Sequence, residues 1–370
     1  MLDKRFVATR SSLRLLVLAA AVAALSAVVA SQSRAVAKHT ALGGGYSVRN
    51  LVSDGFVPAE HLDPNLVNGW GIAAGGSTPW WVANNGTDTS TLYDGNGVAR
   101  PLVVQVEGGP TGAVFNGSSD FVVTDRAGHS GPALFMFASE NGTIHGWNPA
   151  VPPPPFSTHA FGVVSRMNQG AVFKGLAIAE NRLFATDFHN GRVDVFDGSF
   201  HQINSAGAFV DPALPAGFAP FGIQNLGGRI FVTYAMQDAD RHDEIDGHGL
   251  GFVDAYDTAG HLLGRVASGG DLDAPWGLAW APSGFGRFSG DLLVGNFGDG
   301  HLNAFTEGPP GHFTHAGTLQ DSSGNPITID GLWGIGFGNG NSSGPTTTLY
   351  FAAGPDHEAH GLFGRIDATG

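Results

Sequence analysis

Trp70-Gly71-Ile72, Phe221-Gly222-Ile223, Trp276-Gly277-Leu278 and Trp333-Gly334-Ile335 repeat one signature: an aromatic residue, a glycine and an aliphatic residue. Thr111-Gly112-Ala113 and Lys174-Gly175-Leu176 are weaker copies. After each copy comes an apolar, strand-like segment ending in a small or polar residue. These segments are Trp80-Trp81-Val82-Ala83-Asn84, Phe121-Val122-Val123-Thr124-Asp125 and Leu183-Phe184-Ala185-Thr186-Asp187, then Ile230-Phe231-Val232-Thr233-Tyr234, Leu292-Leu293-Val294-Gly295-Asn296 and Leu349-Tyr350-Phe351-Ala352-Ala353. A third strand with period-two alternation follows, clearest in Arg192-Val193-Asp194-Val195-Phe196. The six central glycines are separated by 41, 63, 47, 55 and 57 residues, and a propeller blade takes about 40–50 residues with longer gaps as loops. The pattern predicts an all-β, six-bladed β-propeller. A seven-bladed ring is the main rival and an open β-solenoid the other. The proline run at residues 152–155 reads as a stiff spacer between blades two and three. Residues 46–52 read as a strand that pairs with the final blade and closes the ring, removing an exposed sheet edge.

Composition agrees. Of 370 residues 57 are glycine and only 14% are charged, which suits many short strands joined by tight turns. Lys4, Arg5, Arg10 and Arg14 precede an unbroken apolar and small-residue run over residues 15–30. With a cleavage site after Ala37 or Ala30, this reads as an export signal, an uncleaved anchor being the alternative. Residues 1–37 are thus a signal peptide, 38–45 a flexible linker and 46–370 one propeller domain. The chain is expected to be secreted or periplasmic, monomeric, and without a stable membrane anchor after cleavage. There is no cysteine, so no disulfide and no thiol chemistry. The formal charge is −14, and about −18 once residues 1–37 are removed. Such a field repels nucleic acid and anionic membranes and attracts cations.

Longer motifs add a resemblance. From residue 51 to residue 364 the sequence resembles a family of exported bacterial proteins of unknown function, related to NHL and SMP-30-like propellers. The resemblance rests on Asp63-Pro64-Asn65-Leu66-Val67-Asn68-Gly69-Trp70-Gly71-Ile72, Thr89-Ser90-Thr91-Leu92-Tyr93-Asp94-Gly95, Gly146-Trp147-Asn148-Pro149, Asp187-Phe188-His189-Asn190-Gly191 and Gly295-Asn296-Phe297-Gly298-Asp299-Gly300. It implies the fold and export, and assigns no activity. SMP-30-like propellers hold a channel-mouth metal and hydrolyse lactones, and related propellers run lyase chemistry, but fold does not fix function.

In a propeller the loops entering the inner strand and those between the second and third strands share one face. Here they are rich in oxygen and imidazole groups. Asp187, Asp238, Asp240, Asn296, Asp299 and His360 are candidate ligands for a divalent cation, calcium or zinc. His189 and His242 are candidate general bases, because imidazole titrates near neutrality. Asn84, Asn190, Lys174, Trp70, Trp276 and Trp333 are candidate ligand-binding residues. The same loops contain Asn68, Asn85, Asp125, His129, Asp243, Glu244 and Glu358. Against each stands a structural reading: an Asp or Asn ending a strand before a Gly-rich turn caps backbone N–H groups, and the tryptophans fill the core between blades. No phosphate loop is present. Two functions follow: a metal-dependent hydrolase or lyase on a small substrate, or a non-catalytic extracellular binding propeller with at most a structural calcium.

Overall fold

The six signature glycines explain the architecture. In the computed structural model, which describes residues 44–370 except 204 and 310, a Cβ built on any of these glycines would lie within 2.8 Å of the neighbouring blade's backbone. The atom met is the carbonyl oxygen of Thr111, Phe221, Trp276, Trp333 and Trp70 for Gly71, Gly175, Gly222, Gly277 and Gly334, and the amide of Leu176 for Gly112. Each inner strand thus touches the next, and the last touches the first. The pairing of inner and second strands also shifts register at the signature in every blade, as a bulge does.

Six sheets follow in chain order. Blade 1 is Gly69–Ala73, Trp80–Asn84, Thr89–Tyr93 and Val104–Gln105; blade 2 is Pro110–Phe115, Phe135–Ser139, Thr143–Trp147 and Phe161–Ser165. Blade 3 has three strands, Phe173–Ala179, Arg182–Asp187 and Arg192–Phe196. Blade 4 is Phe218–Leu226, Arg229–Gln237, Phe252–Tyr256 and Leu262–Ser268, with Glu244–Ile245 added to its second strand. Blade 5 is Pro275–Trp280, Leu292–Asn296, Leu302–Glu307 and Phe313–Thr318. In blade 6, Leu332–Phe337, Leu349–Ala353 and Leu362–Ala368 are followed by Tyr46–Ser53, antiparallel to Leu362–Ala368. Hydrophobic side chains pack between the blades, as where Trp81 stacks on Phe135 at 4.2 Å.

Two sequence expectations are corrected. The segment Phe121-Val122-Val123-Thr124-Asp125 is not the second strand of blade 2. Val122–Thr124 pairs with Ser130–Pro132 in a separate hairpin inserted after the inner strand, and Phe135–Ser139 takes the second-strand place. The proline run lies inside blade 2, between its third and fourth strands, rather than between blades. The export signal and most of the linker fall on residues 1–43, outside the described residues. No helix among the described residues is long and apolar enough to cross a membrane.

The close approach makes a direct prediction. Gly222→Ala should cost about 3 kcal/mol, read from the urea midpoint, because its methyl group would overlap the Trp276 carbonyl. Gly76→Ala, with nothing within 4 Å, should stay within about 0.5 kcal/mol of the wild type. Equal midpoints for the two variants would contradict the close-approach account.

Candidate functional site

The residue before each signature glycine sits where the inner strands converge. Trp70 and Trp333 stack at 3.5 Å, Trp276 stands edge-on to both at 6.1 and 5.9 Å, and Phe221 meets Trp333 at 5.7 Å. Phe297 stacks on Trp333 at 4.2 Å. Rings from blades 1, 4, 5 and 6 can meet only on the axis, so they plug the channel. Trp70, Trp276 and Trp333 are 1%, 9% and 0% exposed. They form a closed floor and are not an open platform for a ligand.

Lys174 takes the same position in blade 3 and is the cation of the set. It is 1% exposed, and its Nζ stands 5.0 Å from the centre of the Trp70 ring, a cation–π contact. Nζ donates to Glu140 Oε1 at 2.5 Å and to Asp243 Oδ1 at 3.1 Å. Trp276 Nε1 donates to the Lys174 carbonyl at 3.1 Å. Around this ammonium, Asn85 donates to Glu140 Oε2 at 2.8 Å, and Asn68 donates to Glu358 Oε2 at 2.5 Å while its own Oδ1 accepts from Trp333 Nε1 at 3.1 Å. Glu244 lies near enough to feel both Lys174 and Glu358, and its Oε2 is buried with no hydrogen-bond partner among the described residues. Blades 1, 2, 3, 4 and 6 all supply groups.

Four carboxyl groups therefore surround one ammonium. Burial alone would depress the Lys174 ammonium, but Glu140, Glu244 and Asp243 outweigh it and hold its pKa above the ordinary lysine value. Burial works against ionisation of Asp243 too, yet Lys174 and His242 keep its pKa below the usual value. Glu244 goes the other way: burial pushes it up to about 7, Lys174 opposes this and Glu358 adds to it. Burial raises Glu358 as well, against the Asn68 hydrogen bond. Ligand atoms of Glu140, His242 and Asp243 all lie within 4.8 Å of one another, and His242 Nδ1 is 2.8 Å from Asp243 Oδ1. Two carboxylates and an imidazole at that spacing are a donor set for a divalent cation.

Of the residues read from sequence, Lys174 and His242 belong to this cluster, as do Asn68, Asn85, Asp243, Glu244 and Glu358 of the same loops, with Trp70, Trp276 and Trp333 beneath it. The others are placed elsewhere. The side chain of His189 lies against Gly170 of its own blade. Asp187 is buried and accepts from Asn190 Nδ2 at 2.7 Å, so Asp187 and Asn190 close a turn. Asn84 is spent inside blade 1 on Thr89 and Thr91, at 3.0 Å each. Asn296 donates to Asp299 at 3.0 Å and to the Asp271 carbonyl at 2.8 Å. His360 turns outward, to Asp54 at 2.7 Å and flat on Phe56 at 4.0 Å. Asp238 accepts from the His242 amide at 2.9 Å, and Asp240 is exposed. Asp125 and His129 sit on the inserted hairpin, paired at 2.8 Å.

Glu140 was missed. It follows the true second strand of blade 2, which the inserted hairpin displaces along the chain. The available signal was Asn141-Gly142, a hairpin dipeptide flanked by two apolar segments.

No family model matches the chain. Uncharacterized protein R648 of Acanthamoeba polyphaga mimivirus is 34% identical over 338 residues, 87% of this chain and 80% of that protein. Uncharacterized protein L690 of the same virus is 32% identical over 334 residues, 87% of this chain and 85% of that protein. At this identity and coverage the chain belongs to the family of these proteins. Both are viral and without an assigned activity. A structural-genomics protein of unknown function from Bacteroides thetaiotaomicron superposes with a TM-score of 0.55 at 11% identity, covering 88% of this chain and 76% of that one. That likeness concerns the fold alone.

The raised Glu244 pKa has a sign that can be checked. A carboxyl whose pKa goes from 4.5 unfolded to about 7 folded stabilises the protein below pH 4.5, and the contribution is lost as pH rises through 7. In chelator-treated protein, Glu244→Gln should therefore gain on the wild type by about 3 kcal/mol between pH 4 and pH 8. A pH-independent difference between the two would contradict the placement of this carboxyl.

Proposed function

We propose that this member of the R648 and L690 family holds a divalent cation at its channel mouth and acts there as a hydrolase or lyase on a small substrate. The supporting observation is the charge imbalance around a buried ammonium: four carboxyl groups, from Glu140, Asp243, Glu244 and Glu358, face Lys174, and His242 and Asp243 are open to solvent on the outer side. A partly buried cluster with surplus negative charge either takes up protons or binds a cation. Glu140, His242 and Asp243 are the ligands, calcium or zinc being the ions their donor types suit.

When bound, the cation would polarise a carbonyl or lower the pKa of a water. The rest is done by the chain. Lys174, fixed between Glu140 and Trp70, favours negative charge that develops beside it. Glu244, with its pKa near 7, holds or releases a proton at working pH. The aromatic plug beneath keeps the site from opening into the channel. Export belongs to the same reading and rests on the basic lead and apolar run of residues 1–30.

A thermal melt of the EDTA-stripped chain, with calcium, zinc, manganese or magnesium returned singly, tests the proposal. One ion should raise the midpoint, since a ligand that binds the native state stabilises it by about 2.7 kcal/mol at a hundredfold excess over Kd. Glu140→Gln and Asp243→Asn should abolish the shift. No shift with any ion would remove the cation from the account. With the ion in place, a lactone, ester and lyase panel should show turnover that Glu244→Gln loses while still binding the cation. Binding without turnover on the panel would leave a non-catalytic binding propeller.

A further inference from the structure

The plug divides the channel, and the end away from Lys174 is a second, chemically different site. Past the signature glycines the inner strands diverge around a cavity of about 460 Å³ to which all six blades contribute, within the ~300–1,000 Å³ range of small-molecule pockets. Its walls are Trp80, Phe115, Trp280, Phe337 and Ile178 among other apolar residues, and among the described residues no ionisable side chain lines it.

These walls are held from the protein side. Trp80 Nε1 donates to the Ser343 carbonyl at 2.8 Å. Arg229 lies 5.4 Å from the Trp280 ring centre and is itself gripped by Glu307 at 2.6 and 2.8 Å. Phe337 meets Phe285 edge-on at 4.9 Å, and Phe115 meets Phe135 at 5.4 Å. A pocket whose aromatic walls are already fixed orders little on binding.

Three amide side chains line the cavity, and two are satisfied. Asn225 donates to the Ile178 carbonyl at 2.9 Å and accepts from Gly228 at 3.1 Å. Asn339 donates to the Gly75 and Thr78 carbonyls at 2.6 and 2.9 Å, and accepts from the amides of Asn341 and Ser343. Gln224 is different: its side-chain amide has no hydrogen-bond partner among the described residues. It also lines the narrow space of about 20 Å³ under Trp276, so it stands where the cavity meets the throat.

We infer that this vestibule binds a small, neutral, flat apolar molecule whose one polar end, a carboxamide or a group with the same donor and acceptor pair, meets Gln224 at the floor. The absence of lining charge selects against ions. The aromatic walls take a planar body, and the spare amide rewards a matching polar end. This site is independent of the cation at the other mouth.

The test is a titration of the full chain, followed by tryptophan fluorescence, with 2-naphthamide and with 2-methylnaphthalene, which shares the ring system but lacks the amide. The amide should bind saturably, about tenfold more tightly than the hydrocarbon. Gln224→Leu should bring the two ligands within about twofold of each other, and Ile178→Trp, which fills the cavity, should abolish both. Glu140→Gln, at the opposite end, should change neither. Urea midpoints establish that each variant is folded. If Gln224→Leu is not, the wild-type preference and its loss in Ile178→Trp decide. No saturable binding, no preference in the wild type, a preference that survives in Gln224→Leu, or loss in Glu140→Gln would each overturn the inference.

Discussion

The contact on which the rest depends is backbone against backbone, where each inner strand approaches the next at a signature glycine. Because no Cβ fits there, the inner strands come close enough for the preceding side chains to fill the axis. Four of the six are aromatic and close on one another, with ring separations from 3.5 to 6.1 Å. The channel is consequently not a pore. It is a plugged axis with a polar mouth above and an apolar vestibule below, and the two ends are free to carry different chemistry.

Lys174 makes the mouth polar. Placing a cation in the aromatic ring of positions requires compensation, because an unpaired buried ammonium would lose its proton. Glu140 and Asp243 provide it directly, and the Trp70 face adds to it. Glu244 and Glu358 then exceed what one lysine can neutralise; burial raises the pKa of both, and the neighbouring carboxylates add to it. The proposed cation would share Glu140 and Asp243 with Lys174 and add positive charge where the carboxylates outnumber the ammonium.

Much of this was legible in sequence, for a physical reason. The aromatic-glycine-aliphatic signature reports a steric contact that recurs in every blade, so it survives in the chain as a repeat. The face carrying Lys174 and His242 could be found from loop order alone. Individual ligands could not. A strand-terminal Asp or Asn looks the same whether it faces a cavity or satisfies its own turn; Asp187, Asn84 and Asp299 do the latter, and Asn296 donates to its turn while its buried Oδ1 has no partner among the described residues. Asp125 and His129 form a turn built as Asp257 and His261 form theirs, with the acid accepting two amides and pairing the imidazole at 2.8 Å. Glu140 stayed hidden because one inserted hairpin moved the strand it follows, and a spacing argument carries such a shift into every later assignment in that blade.

The most direct measurement is elemental analysis of the chain after equilibrium dialysis against calcium, magnesium, manganese and zinc together, at equal concentrations and pH 8, where Glu244 is not holding the site's charge in check with a proton. The account predicts close to one equivalent of a single ion retained by the wild type, and its loss in a Glu140→Gln, Asp243→Asn double variant that still folds. No ion retained by the wild type, or equal retention by the double variant, would contradict the assignment of the mouth as a cation site.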